Sequence, residues 1–318
     1  MTDHQANLRA AALTAAAVSL FAVSDAIVKL LTQHYPPGQI LFCRGVVAAL
    51  LFVVAARLRR RPELVRLPWS DRASWLRSLL ELGTALCYFQ GLRTLPLAEA
   101  TAVLFVFPVL LTVLAAFLLE EKVGPRRWAA VAAGMTGALV ILRPGSAAFD
   151  PATSWVLAAA ALIAARDLVT RFVRPAVPTE AIALMTIGFS AVASLGTLPF
   201  GWALPDGKGL LGFAASAVLV SVAFSCLVAG TRTGDVSFTA PFRYVTVPLA
   251  FLIGFLVWGD VPDPPVFLGT AVVVAAGLAM LRPERPRLVA GHRGKSGTEG
   301  LGIGLDGSNR LSSIRPEP

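Results

Sequence analysis

Charge is scarce in this chain. Only 15% of its 318 residues are Asp, Glu, Lys or Arg, against about 25% in an ordinary soluble domain. Apolar residues make up 56% and the mean hydropathy is +0.70. A single soluble core has no room for that much apolar surface, whereas a bilayer solvates it. Cysteine is equally sparse. Cys43, Cys87 and Cys226 lie far apart, each inside an apolar run and without C-x-x-C spacing, which excludes a disulfide framework and a zinc site. Histidine is limited to His4, His34 and His292, all in terminal or connecting segments. No H-E-x-x-H, G-x-S-x-G or paired catalytic aspartate motif occurs. No catalytic residue, metal or cofactor is therefore expected. Gly302-Ile-Gly304-Leu-Asp-Gly307 has G-x-G-x-x-G spacing but lacks the strand before and the helix after that give a dinucleotide site its mechanism. The formal charge is +9. Its Lys and Arg fall between apolar runs, as in cytoplasmic loops, so nucleic acid is not the expected partner.

What is present is a succession of apolar runs. Ten are long enough, or nearly so, to cross about 30 Å of hydrocarbon: Ala10–Leu31, Pro37–Ala56, Trp75–Leu95, Ala98–Leu119, Trp128–Leu142, Ser154–Phe172, Glu180–Trp202, Leu210–Gly230, Val236–Trp258 and Pro265–Leu281. Arg9 followed by Ala10 to Val23 has a faint signal-peptide shape, but Asp25 and Lys29 continue the same stretch, so it reads as the first membrane helix. Arg57, Arg59, Arg60, Arg61, Arg66 and Arg72 crowd the second connection, and Lys122, Arg126 and Arg127 the fourth. The ninth holds Asp260 and Asp263 and no base. The positive-inside rule then places the even-numbered connections and both termini in the cytoplasm.

The chain repeats itself. Gly91-Leu-Arg-Thr94 recurs 139 positions on as Gly230-Thr-Arg-Thr233, and Leu142-Arg-Pro144 recurs at the same offset as Leu281-Arg-Pro283. Asp25-Ala-Ile-Val-Lys29 resembles Asp167-Leu-Val-Thr-Arg171. A duplicated unit with an odd number of helices enters the membrane from opposite sides. The expected fold is therefore an all-α integral membrane protein of ten transmembrane helices in two inverted five-helix repeats. Expected boundaries are a cytoplasmic N-terminus at 1–9, repeats at 10–144 and 154–283, a linker at 145–153 and a disordered cytoplasmic tail at 284–318.

Ionisable residues inside the apolar runs carry the functional argument, because each costs about 2.5–3.5 kcal/mol in hydrocarbon. At about 1.5 Å per residue, Asp25, Arg44 and Tyr88 share a level roughly 20 Å above the cytoplasmic side. Glu81, Asp167 and Arg243 share one at roughly 9 Å. The expected ion pairs are Asp25 with Arg44, and Glu81 or Asp167 with Arg243. Lys29 and Arg166 are expected to snorkel to the interfaces. Arg77, Glu81, Thr84 and Tyr88 fall on one helical stripe, suited to a cavity wall or a packing seam. Asp25, Glu81 and Asp167 are the candidate proton-coupling groups. Tyr88 and Tyr244 suit stacking on a ring. Pro108 and Pro248 are candidate hinges, since proline frees a backbone carbonyl and bends a helix. Segments five and ten are rich in Gly and Ala, which suits peripheral packing or a homodimer face.

The duplicated unit, Leu119-Glu-Glu-Lys-Val-Gly124, and Gly134-Met-Thr-Gly137 through Leu142-Arg-Pro144 together resemble the EamA branch of the drug/metabolite transporter superfamily. Ser24-Asp-Ala-Ile-Val-Lys29 and Gln39-Ile-Leu-Phe-Cys-Arg44 add to the likeness, which spans about residues 10–283. The resemblance implies alternating access and a central cavity between segments one to four and six to nine. It implies transport of amino acids, their derivatives or cofactor-like metabolites. The expected function is export of amino acids or their derivatives; the alternatives are uptake of a cofactor-like metabolite such as riboflavin or S-adenosylmethionine and, from another class, a membrane-embedded enzyme or a non-transporting receptor. In the second half Gly259-Asp-Val-Pro stands where the first has Glu-Glu-Lys-Val, so Glu120 and Glu121 have no symmetric counterpart.

Overall fold

The computed structural model describes residues 3–61, 66–120, 124–143, 150–233 and 239–280. The expected tail and residues 145–149 of the expected linker lie outside the described residues. Eleven α-helices run in order among the described residues: α1 (Asp3–Thr32), α2 (Pro37–Leu58), α3 (Arg72–Leu92), α4 (Leu97–Leu104), α5 (Phe107–Leu118), α6 (Pro125–Leu142), α7 (Ala152–Thr170), α8 (Thr179–Ser194), α9 (Gly207–Thr233), α10 (Thr246–Trp258) and α11 (Pro264–Met280). Two 3-10 helices, Leu195–Phe200 and Ala240–Val245, extend α8 and precede α10. There is no strand among the described residues. Seven of the spans they form are long and apolar enough to cross a membrane. Of the others, α3 carries Arg72, Arg77 and Glu81, and the apolar stretch Pro264–Ala279 of α11 is shorter.

Two boundaries differ from expectation. α1 begins at Asp3, so most of the segment expected as a separate N-terminus is helical. Nothing between Asp3 and Ala10 breaks a helix, since Pro and Gly are absent there. Segment four is two helices, broken at Phe105 and Val106, with Pro108 as the second residue of α5. There proline's missing N–H goes unmissed. Segment nine is likewise composite: the 3-10 turn at Ala240–Val245 gives way to α10, and Pro248 sits in the first turn of α10.

The core is rich in small and β-branched side chains with a few large ones such as Phe213, Leu92, Leu95 and Leu97, while many other large apolar side chains point outward. Leu50, Phe255, Leu256 and Leu268 are each more than half exposed, the distribution expected of helices solvated by lipid. α1 packs along α9 and α3 along α7, α2 meets α8, α4 meets α10, and α6 meets α11. α2 also touches α9 as α3 touches α8, and α1 touches α10 as α4 and α5 touch α7. Exchanging α1–α6 with α7–α11 leaves this set of contacts unchanged. At the α6–α11 crossing, a Cβ on Gly137 would stand 2.8 Å from the Gly269 carbonyl oxygen, and one on Gly269 would stand 2.7 Å from that of Gly137. Small residues of segments five and ten thus pack against each other inside one chain.

The two ends of the bundle are closed differently. At one end Arg174 lies 3.4 Å from Asp71 and donates to Ser70 at 2.8 Å. At the other, Tyr35 donates to Asp206 at 2.8 Å. Gln39 pairs with both backbone groups of Ala203, at 2.5 and 3.0 Å. Arg143 meets Asp263 at 3.0 Å. Lys29 corrects an expectation here. It is 6% exposed and turned to backbone carbonyls instead of to solvent. Its ammonium donates to the carbonyls of Leu92, at 3.4 Å, and Leu95, and stands 5.4 Å from the Trp258 ring centroid. The first ends α3, where helix oxygens lack partners, and the second lies in the turn between α3 and α4, so the charge is met by backbone acceptors.

Lys29→Met leaves these carbonyls without a donor. It should cost on the order of 2 kcal/mol, read as a lower unfolding midpoint in detergent, with Lys29→Arg losing less. An unchanged midpoint in Lys29→Met would refute the capping role. Asp206 accepts from the Gly209 backbone N–H at 2.7 Å as well as from Tyr35. Both bonds, the Gly209 one first, hold its carboxyl below the usual carboxylate range. The resulting stability is present above that range and is lost as pH falls through the lowered value. Below about pH 4 the unfolding midpoint of wild type should therefore approach that of Asp206→Asn, from which it differs at neutral pH.

Candidate functional site

The facing sides of α3 and α7 carry the interior charge. Arg166 on α7 is at the centre. Its guanidinium donates to Glu81 at 2.5 Å, and through two nitrogens to Asp167 at 2.7 and 3.0 Å. One cation thus holds a carboxylate from its own helix and one from α3. Arg77, one turn before Glu81, donates to Thr170 at 3.1 Å and to Thr186 on α8 at 2.8 Å. Thr186 lies 3.2 Å from Ser78. Three helices are joined by this network.

Arg44 on α2 stands beside it. Asp25 and Glu81 are the carboxylates that act on its charge, yet among the described residues neither is within ion-pairing distance. One terminal nitrogen of Arg44 is buried without a hydrogen-bond partner. Its guanidinium carbon is 5.5 Å from the Phe89 ring centroid. Asp25 instead accepts from the Tyr88 hydroxyl at 3.3 Å.

Two expected pairings are corrected. Asp25 shares its level with Arg44 and Tyr88, but its bonded partner is Tyr88. Glu81 and Asp167 meet each other through Arg166, not through Arg243. The reason is packing: α7 lies along α3, and Arg166, adjacent to Asp167, is directed across that seam toward Glu81. Snorkelling, expected for Arg166, gives way to charge-assisted hydrogen bonds to two carboxylates. Thr84 is buried on the α3 stripe and its hydroxyl returns to the Leu80 carbonyl at 2.8 Å.

Arg243 belongs to a second feature. A cavity of about 310 Å³ is lined by Asp167, Arg243, Tyr244 and Pro108, all singled out from the sequence, together with Phe105, Phe107 and Arg127. Its volume is at the lower end for small-molecule sites. Tyr244 stacks on Phe105 at 5.3 Å between centroids. A Cβ on Gly277 would overlap the Tyr244 hydroxyl, so this glycine makes room for the ring. Sequence reasoning missed Arg166 as the centre of the network, and Thr186 and Arg127 as members of either feature, whereas Arg77 was placed on the α3 stripe. The Arg166-Asp167 dipeptide inside an apolar helix was the available signal. Arg127 gave none, being one of several bases in a connection.

The fold and its charged interior define the class: a multi-pass α-helical protein of the cell membrane, built around polar groups enclosed by apolar helices. Comparison with known proteins narrows this. The EamA-like transporter family matches at residues 8–143. A riboflavin transporter of Rhizobium johnstonii is 32% identical over 198 residues, which cover 62% of this chain and 66% of that protein. An S-adenosylmethionine uptake transporter of Rickettsia prowazekii is 26% identical, covering 68% and 74%. The aromatic amino acid exporter YddG of Ancylobacter novellus is 30% identical, covering 73% and 84%. A crystal structure 24% identical superposes with a TM-score of 0.61 over 85% of this chain and 96% of the other, a likeness of fold. The chain belongs to the EamA-like transporter family.

Arg166→Gln leaves two carboxylates without their cation and should cost on the order of 3 kcal/mol or more. The unfolding midpoint of the purified protein checks this. Adding Glu81→Gln should recover part of the loss. Arg243→Gln, which breaks no ion pair among the described residues, should leave the midpoint nearly unchanged.

Proposed function

We propose that this protein is a secondary active transporter that exports amino acids or their derivatives by alternating access. The observation that carries this reading is the buried, unpartnered nitrogen of Arg44, beside Asp25 and Glu81. A buried guanidinium donor without an acceptor is costly, and the carboxylate of a zwitterion relieves that cost. The ammonium of the same molecule then meets Asp25 or Glu81. Asp25, Glu81 and Asp167 are the groups proposed to carry a coupling proton. Pro108 and Pro248, each at a helix break, are the proposed hinges. In this reading α3, α6 and α11 join the seven apolar spans to make ten crossings. The contact pattern that survives exchange of the halves, and a basic connection in one half opposite an acidic one in the other, support two inverted repeats with cytoplasmic termini.

The exporter named among the relatives supports the direction. A second reading, uptake of a cofactor-like metabolite, is favoured by the relatives named for riboflavin and S-adenosylmethionine. S-adenosylmethionine is itself an amino-acid derivative and fits the same charges.

The test is flux in proteoliposomes with labelled amino acids, riboflavin and S-adenosylmethionine, with and without a pH gradient. Saturable flux of one compound should be reduced by about two orders of magnitude in Arg44→Ala and in Glu81→Ala, the loss of one or two charged contacts. Flux that persists in Arg44→Ala would refute the assignment of the substrate carboxylate.

A further inference from the structure

The cavity beside the break between α4 and α5 is set apart from the Arg44 layer, and its charges do not balance. Asp167 contributes a carboxylate to its wall, but that carboxylate is already gripped by two nitrogens of Arg166. Arg243 and Arg127 line the same space. Among the described residues neither has an ion-pair partner, and the Nε of Arg127 is buried without a hydrogen-bond acceptor. Two guanidiniums therefore border one partly open cavity without an ion pair among the described residues. Each cation in such a place carries a desolvation cost that an anion offsets. The planar fork of arginine suits carboxylate and phosphate above other anions.

The remaining wall is aromatic. Phe105 lies 5.9 Å from Phe107 and 5.3 Å from Tyr244 between centroids, so three rings present faces and edges to the space. The ring of Tyr244 is seated there by Gly277. Rings of this kind hold a flat apolar body by offset or edge-to-face contact.

We propose that this cavity is a binding site for an organic anion: a carboxylate or phosphate held by Arg127 and Arg243, on a body whose planar part packs against Phe105, Phe107 and Tyr244. Two sources supply an anion beside a membrane helix, a soluble metabolite and the headgroup of an anionic lipid. The site is defined by the chemistry they share. It uses none of Asp25, Arg44 or Glu81, so it stands apart from the substrate layer proposed above.

The test is equilibrium binding of labelled indole-3-acetate to the full-length chain purified in detergent. Tryptamine, with the same ring and opposite charge, and acetate, with charge and no ring, serve as competitors. Unlabelled indole-3-acetate should displace the label at least about tenfold better than either, a difference of about 1.4 kcal/mol. Arg127→Gln and Arg243→Gln should each weaken binding by about tenfold or more, with elution profile and unfolding midpoint as checks of folding. Arg243→Lys, which keeps the charge, should retain part of the affinity and carries the test if a Gln variant fails to fold. Displacement by phosphatidylglycerol but not by phosphatidylcholine assigns the anion to lipid; displacement by neither assigns it to the soluble ligand. Tryptamine binding as well as indole-3-acetate, label retained in both Gln variants, or no saturable binding of the label and no arginine-dependent binding of phosphatidylglycerol would each overturn the site. Flux of the labelled panel without this binding removes only this site. Arginine-dependent binding without flux removes only the transport reading.

Discussion

A guanidinium between helices in hydrocarbon has two states, matched or expensive, and much of this structure follows from how Arg166 is matched. Its two carboxylates come from neighbouring helices, so neutralising the charge also decides which face of α7 meets α3. Arg77 continues the seam to α8 through two threonine hydroxyls. The apolar surfaces around this seam supply little discrimination, because lipid tails satisfy a leucine as well as another helix does. Polar matching therefore sets the register of the interior helices, and small residues let the backbones come close enough for it.

The same rule explains where matching is incomplete. Arg44, Arg127 and Arg243 are placed beside carboxylates or rings without being closed by them. Conversely, the end of the bundle at Tyr35, Gln39 and Asp206 is fastened by hydrogen bonds whose partners are in part solvent-exposed. Water replaces such bonds with a loss of about 1 kcal/mol each, a scale at which differential ligand binding shifts a conformational equilibrium.

The all-helical membrane architecture was legible in the sequence, because apolar run length is a direct consequence of the bilayer. The levels of Asp25, Tyr88, Glu81 and Asp167 were legible too, since rise per residue converts position into depth. Depth does not give azimuth. Arg243 and Arg166 lie at similar depth, and only the packing of α7 on α3 decides which of them Glu81 meets. Lys29 differs from expectation for a related reason: its place near the end of α1 is visible in the sequence, but the Leu92 and Leu95 carbonyls are brought to it by the fold. The cavity assembles α5, α6, α7 and α11 around the turn before α10, and no local pattern announces such a convergence. Arg127 shows this most plainly, because its sequence neighbours are those of any cytoplasmic loop.

The crossing of Gly137 over Gly269 has a mechanical consequence. One helix comes from each half, and the two touch backbone to backbone. Sliding either helix along its axis would drive Ile141 or Val273, which already flank the contact, into the opposing main chain. Turning one helix over the other moves no side chain into that gap. The crossing therefore resists translation and permits rotation, so α6 can turn against α11 while their separation there stays constant.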